Sequence, residues 1–253
     1  MKKIALVLAF VLMFTFALTG CAGQTNRLES IKKAGKLVVV TNAQFPPFEY
    51  ILDGKPAGVD IDVAQAIADD LGVELEVVDM NFDLLVEAVK SGKADLALAG
   101  MTIRPDRLEH VDFSNEYVKS AQYVIVKAGS GITVDSLDGL TIAVQEATTG
   151  DFYASDDIAA KEVLRFKSGI EAGSALASGK CDAVIIDKLP AEAIAANYGG
   201  ALEVLPEALT EESYAIAIQK GQKDLLDAVN ATLAKLIANG TIDELVVKHM
   251  AQA

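Results

Sequence analysis

From Lys36 onward, short apolar runs alternate with amphipathic stretches that end at glycine, and the alternation restarts midway along the chain. Few architectures satisfy that pattern. Lys36–Thr41, Val73–Val78 and Ala94–Ala99 read as strands buried on both faces. Between them, Val59–Leu71 places Ile61, Ala64, Ile67, Ala68 and Leu71 on one helical face, with Gly72 positioned to end the helix. Phe82–Ser91 reads as a second helix, stopped by Gly92. The later half repeats the scheme with strands at Ala121–Lys127, Leu140–Val144, Asp182–Ile186 and Tyr214–Gln219. Helices fit near 150–156, 169–178 and 188–197, then over Asp224–Asn239 and near 241–250. Strands interleaved with helices imply an α/β fold whose mostly parallel sheets are covered on both faces. Apolar residues make up 51% of the 253-residue chain, enough for a packed core.

A short internal similarity divides this pattern in two. Ser91-Gly92-Lys93-Ala94-Asp95 and Ser178-Gly179-Lys180-Cys181-Asp182 each follow a helix and open a strand. Glycine there suits the left-handed conformation that terminates helices, and Asp begins the next apolar run. Two such units suggest two similar lobes, although Ser-Gly-Lys is also a common helix end.

Ahead of the alternation, Met1-Lys2-Lys3 precedes an apolar run from Ile4 to Leu18 that closes on Thr19, Gly20 and Cys21. A basic start, a short apolar middle and small residues at the end describe an export signal over residues 1–20. The run is short for a membrane span, which takes about 20 residues. Leu18-Thr19-Gly20-Cys21 resembles the bacterial lipobox, which implies cleavage before Cys21, lipidation of its sulfur and a tether over 21–27. The other reading is an ordinary secretory signal with an incidental cysteine. With Cys21 lipidated, Cys181 has no disulfide partner, and it reads as a small core residue. Two cysteines and two separated histidines do not make a metal site, and no cofactor motif is present. A formal net charge of −14 argues against nucleic acid as a partner.

In open α/β sheets ligands bind beyond the carboxyl ends of the strands. The residues there include what a zwitterion needs. Arg107 offers a planar fork for a carboxylate. Thr102 and Thr149 add donors, and a helix starting near Thr149 would favour the negative group. Asp187 is an isolated acid suited to an ammonium. Phe45 and Phe82 can sandwich a side chain, and Gly100 permits close approach to backbone. Each also has a plainer reading. Arg107 sits in a charged turn, Phe45 and Phe82 suit a core, Asp187 suits a helix N-cap, and Thr148-Thr149-Gly150 suits an ordinary turn.

Asn42–Phe48, Gly58-Val59-Asp60-Ile61-Asp62, Gly100–Ile103 through Arg107, and Val111-Asp112-Phe113-Ser114 together resemble the amino-acid-binding receptors of ATP-driven (ABC) importers, of the type 2 periplasmic binding protein fold. The resemblance spans about 30 to 250. It implies two Rossmann-like lobes, 28–118 with 214–253 and 119–213, joined by crossovers near 118–121 and 211–214. It further implies that Arg107, Thr102 and Thr149 hold the ligand α-carboxylate. Asp187 and the Gly100 carbonyl would hold the ammonium, while Phe45 and Phe82 stack. Asn42 and Gln145 would face the polar end, with Thr148 in the same loop, and Tyr214 would line the cleft. The partners implied are an amino acid, the importer's membrane subunits and, through Cys21, a membrane, with the receptor a monomer. Several relatives for cationic or amide ligands carry Asp where Asn42 stands. Its absence weakens the case for lysine or arginine, and the expectation is a polar or amide-bearing amino acid. The rival reading is an enzyme on the same fold, a cyclohexadienyl- or arogenate-type dehydratase, for which Glu146 is the available general acid. A dinucleotide-dependent dehydrogenase fails because no G-x-G-x-x-G follows the first strand.

Overall fold

A computed structural model describes residues 26–252. Residues 1–20 and Cys21 lie outside the described residues. In chain order the first elements are α1 (Arg27–Ala34), β1 (Lys36–Thr41), β2 (Tyr50–Leu52), β3 (Lys55–Ala57), α2 (Val59–Leu71), β4 (Glu74–Asp79), α3 (Leu85–Lys90), β5 (Leu96–Ala97), α4 (Pro105–Leu108) and β6 (Val111–Phe113). After β7 (Val118–Ser120) come β8 (Gln122–Lys127), β9 (Thr141–Gln145), α5 (Thr149–Asp156), β10 (Glu162–Phe166), α6 (Gly169–Ala177), β11 (Ala183–Asp187), α7 (Lys188–Ala196) and β12 (Leu202–Val204). The chain closes with β13 (Glu212–Tyr214), β14 (Ala217–Gln219), α8 (Lys223–Ala238) and α9 (Thr241–Met250).

Two five-stranded sheets result, ordered β4-β1-β5-β14-β6 and β10-β9-β11-β8-β12. Their layouts match position by position. In each, the strand in fourth place runs antiparallel to both neighbours, while the first three are mutually parallel. The repeated pentapeptides occupy equivalent places. Gly92 and Gly179 have φ of 74° and 77°. Asp95 Oδ2 accepts the Val38 N–H at 2.7 Å, and Asp182 Oδ2 accepts the Thr141 N–H at 2.8 Å. Each aspartate thus satisfies a backbone donor of the second strand in its sheet, β1 or β9. It belongs to the sheet edge-on, not only to the helix end.

Both faces of each sheet are covered. On β1, Leu37 and Val39 pack with Val63, Ile67, Leu225 and Val229 of α2 and α8, whereas Val40 packs with Leu85 and Val89 of α3. In the second sheet, Val184 and Ile186 meet α6 and α7 through Leu176 and Ile194. Ile142, Val144 and Ile185 pack with Ala154 of α5 on the opposite face. Burying one such Ile or Leu contributes about 1.5–3 kcal/mol. Helix α2 ends as its sequence dictates, at Gly72 with φ 69°.

Several details differ from the sequence expectations. Tyr214–Gln219 is not one strand. At Ala215 and Ile216 the backbone donates to the Met101 carbonyl and the Ser114 hydroxyl, so β13 and β14 belong to different sheets. The Phe82 helix begins as a 3₁₀ turn over Phe82–Leu84 before α3. Strand β10, absent from the expectations, is a half-buried edge whose charged Glu162 and Arg165 hide its apolar positions.

Two passages join the sheets, through β7 and β13. These pair antiparallel with each other, Val118 opposite Tyr214 and Ser120 opposite Glu212.

Candidate functional site

Strand ends deliver the site. Strand β1 leads straight into Asn42, β9 ends on Gln145 and β11 ends on Asp187. All ten residues proposed from the sequence (Asn42, Phe45, Phe82, Gly100, Thr102, Arg107, Gln145, Thr148, Thr149 and Asp187) line one cavity of about 300 Å³, completed by Glu49 and Ala99. Tyr214 is fully buried behind it.

One end is cationic. Arg107 is not a solvated turn residue; only 6% of it is exposed. Its Nη1 donates to the Thr102 carbonyl at 2.8 Å and its Nη2 to the Ala147 carbonyl at 3.1 Å. Two of five guanidinium N–H groups are thereby used. Burial, aided by nearby Arg104, lowers the Arg107 pKa to about 10, so it remains charged at neutral pH. Ala147 has φ 62°, a left-handed conformation costing an alanine roughly 1–2 kcal/mol. The Ala147 N–H is held by Asp151 Oδ2 at 3.0 Å. That local strain aims the Ala147 carbonyl at Arg107. Thr148 caps α5, accepting from the Asp151 N–H at 3.3 Å, so the helix N-terminus opens beside Thr149.

Asp187 occupies the N-cap position of α7 but its side chain makes no capping bond. Instead Oδ1 accepts from the Tyr214 and Ser120 hydroxyls at 2.6 and 2.9 Å, and Oδ2 from Gln122 Nε2 at 2.9 Å. Burial, then the charge of Glu212, raises its pKa to about 6. Glu212 itself accepts from Thr102 Oγ1 at 2.6 Å.

The far end is a bed of acceptors. Gln145 Nε2 donates to Asn42 Oδ1 at 3.0 Å across the cleft, and Asn42 Nδ2 donates to the Met80 carbonyl at 3.0 Å. Gln145 Oε1 and both carboxyl oxygens of Glu49 are buried with no hydrogen-bond partner. The Phe45 ring covers Gly100: a Cβ there would lie 2.7 Å from Cε1, and Gly100 holds φ 51°. Phe82 faces Arg107, whose Cζ is 5.2 Å from the ring centroid. At the rim, Arg104 lies 3.7 Å over the Phe152 ring and Lys167 Nζ is 3.4 Å from Asp83. The lobes therefore touch through these two pairs as well as through the cavity lining.

Glu49 is the residue that sequence reasoning missed. The sequence reading named Glu146 as the available acid near the cleft, for the dehydratase alternative, but Glu146 turns outward to Lys167 Nζ at 2.5 Å. Glu49 sits between two aromatics in Phe48-Glu49-Tyr50, and that flanking was the available signal.

The raised acids have a stability consequence. Burial, the largest influence, brings Asp60 and Asp187 to about 6 in the folded chain, against about 3.9 for a free aspartate. Between pH 4 and 6 the folded state then binds more protons than the unfolded state, so stability rises as pH falls. Asp70, held below its usual value by Lys235 and Thr232, stays ionised through that window. Thermal unfolding should therefore give a midpoint at pH 5 about 2 °C or more above that at pH 7.5. A midpoint that falls over this interval would contradict the assignment.

The bacterial extracellular solute-binding proteins, family 3, match residues 37–252. The arginine-binding extracellular protein ArtP of Bacillus subtilis is 34% identical over 253 residues, covering 97% of this chain and 96% of ArtP. An amino acid ABC transporter substrate-binding protein, AbpA of Streptococcus pneumoniae, solved bound to L-arginine, is 35% identical with TM-score 0.84. The match covers 88% of this chain and 98% of AbpA. A mutant of ArgBP from T. maritima is 38% identical with TM-score 0.82, covering 88% of this chain and 99% of that one. The two-lobed α/β architecture is that of the type 2 periplasmic binding proteins. With the family matched over most of its length, the chain belongs to the bacterial extracellular solute-binding proteins of family 3.

Proposed function

We propose that this chain binds one amino acid with a cationic side chain, arginine foremost, between its two lobes and delivers it to an ABC importer. The observation that carries the reading is Glu49: a fully buried carboxyl that lines the cavity, receives no hydrogen-bond donor from the protein and has only the Asp60 carboxyl as a side-chain partner. Buried polar groups left without partners are costly, and a guanidinium presents several donors in a plane that matches such acceptors. The charge that Asn42 fails to supply comes from Glu49. In this reading Arg107, Thr102 and the α5 N-terminus with Thr148 and Thr149 hold the α-carboxylate. Asp187 holds the ammonium, and Phe45 and Phe82 clasp the aliphatic stem. The arginine-binding names of the relatives support it.

The lobes are 28–118 with 214–253, and 119–213, turning about 118–121 and 211–214; ligand stabilises their closed arrangement because it touches both. Residues 1–20 direct export, and lipid on Cys21 anchors a monomeric receptor outside the membrane. A dehydratase reading has little to stand on. The relatives are named for binding, and Glu146 points away from the cavity.

Calorimetric titration with the standard amino acids checks the proposal. Arginine is expected to bind most tightly, lysine and glutamine more weakly, and aspartate and leucine not measurably. A preference for an acidic or aliphatic ligand would overturn it.

A further inference from the structure

Two carboxyl groups are neighbours beneath the cavity, and only one of them is provided for. Asp60 lies in the first turn of α2, where the helix N-terminus favours negative charge. Its oxygens accept from the Gly100 N–H at 2.8 Å and the Tyr117 hydroxyl at 2.6 Å. Glu49 has no such donors, and its one side-chain partner is the Asp60 carboxyl itself. The charges that bear on Glu49 from the surrounding elements are those of Asp60, Asp187 and Asp79, all negative. The Tyr117 hydroxyl is committed to Asp60, and the cavity's cation, Arg107, is bonded to the Thr102 and Ala147 carbonyls. Burial first, and Asp60 second, push the Glu49 carboxyl well above its ordinary range, whereas Asp60 rises to about 6. Within the pair, Asp60 carries the charge and Glu49 the proton.

We propose that Glu49 exchanges its proton for the side-chain cation of the ligand, so that pH sets the preference between a cationic amino acid and its uncharged isostere. As a guanidinium enters, the Glu49 O–H bond breaks, the proton passes to solvent and the carboxylate pairs with the guanidinium. With a ureido or carboxamide side chain the proton stays, and the carboxylic acid O–H donates to the ligand's carbonyl oxygen. The inference rests on the arginine reading above and adds a selectivity rule to it. Neutral conditions favour arginine; acidic conditions bring neutral analogues into competition.

The test uses arginine and citrulline, titrated calorimetrically into the whole chain from pH 5.5 to 8.5 and in buffers of different ionisation enthalpy. Both ligands carry the same α-ammonium and α-carboxylate, so contributions from Asp187 and Arg107 cancel between them. For arginine, the observed enthalpy should track the buffer with about one proton released, and affinity should rise by up to about tenfold per pH unit. Citrulline should show only the contribution shared through Asp187, which is confined to the acid end of the range. Glu49→Gln should reduce arginine's proton release to that of citrulline and narrow the arginine-to-citrulline affinity ratio by more than about tenfold. Should that variant not fold, the buffer series on the unaltered chain decides alone. Tight arginine binding with no buffer dependence, and a pH profile like that of citrulline, would overturn the exchange while leaving the arginine reading standing. Failure of arginine to bind at any pH would overturn both.

Discussion

Arg107→Ala is expected to weaken amino-acid binding by roughly 2–5 kcal/mol, the range for removing one member of a buried charge-assisted pair. In dissociation constant that is about thirtyfold to several thousandfold. The size follows from where the guanidinium sits. It is buried, still charged, and bonded through two donors to the Thr102 and Ala147 carbonyls on opposite sides of the cleft. Its remaining donors are therefore held in orientation before a carboxylate arrives, and little ordering is left for the ligand to impose. Arg107→Lys should recover only part of the loss, because an ammonium cannot present a planar fork. The unfolding midpoint should change little, since removing a buried charge relieves a desolvation cost that offsets the two lost bonds. Titration calorimetry beside a thermal scan separates the two effects. Affinity kept within threefold, in a folded variant, would remove Arg107 from the site.

Gly58→Ala is expected to destabilise the fold by about 3 kcal/mol or more, from backbone strain and overpacking together. For a chain of this size that lowers the midpoint by about 6–12 °C. Gly58 holds φ 135° and ψ 177°, a region that is essentially glycine's alone. An added Cβ would lie 2.1 Å from the Phe48 carbonyl oxygen. That carbonyl cannot withdraw, because it accepts the Asp60 N–H at 3.0 Å, and the Val59 N–H is bound to the Pro47 carbonyl at 3.1 Å. The same contacts set Glu49 against Asp60, so ligand affinity should fall along with stability. A variant that melts within 2 °C of the parent would mean that the segment relaxes at no cost.

The sequence carried much of this arrangement because the site stands at the ends of well-patterned strands. Gln145 and Asp187 were findable as the first polar residues after apolar runs, and the apolar runs proved to be β9 and β11. The two Ser-Gly-Lys-x-Asp segments pointed to paired lobes, and their aspartates do the same backbone work in each sheet. Arg107 was different. Nothing in Arg104-Pro105-Asp106-Arg107 distinguishes a buried guanidinium from a solvated one; its place a few residues after the Ala94–Ala99 run made it a candidate, and the likeness to a family gave it a role. Glu49 escaped because its burial is tertiary. It closes the tight turn from Phe45 just before the short β2–β3 hairpin, where no periodicity is long enough to mark an inward face and an acid reads as exposed. The pairing of β7 with β13 was equally invisible, since three-residue strands more than ninety positions apart share no local signal.

That pairing has a mechanical consequence. Two separate linkers would let the halves of the molecule twist and slide as well as swing. Laced together by hydrogen bonds, Val118–Ser120 and Glu212–Tyr214 form a single strap, pliant across its flat face and stiff in its own plane. Opening is then held near one arc. Under the closure proposed above, a metabolite that draws the jaws shut need freeze only that one degree of freedom, so most of its contact energy remains available as affinity.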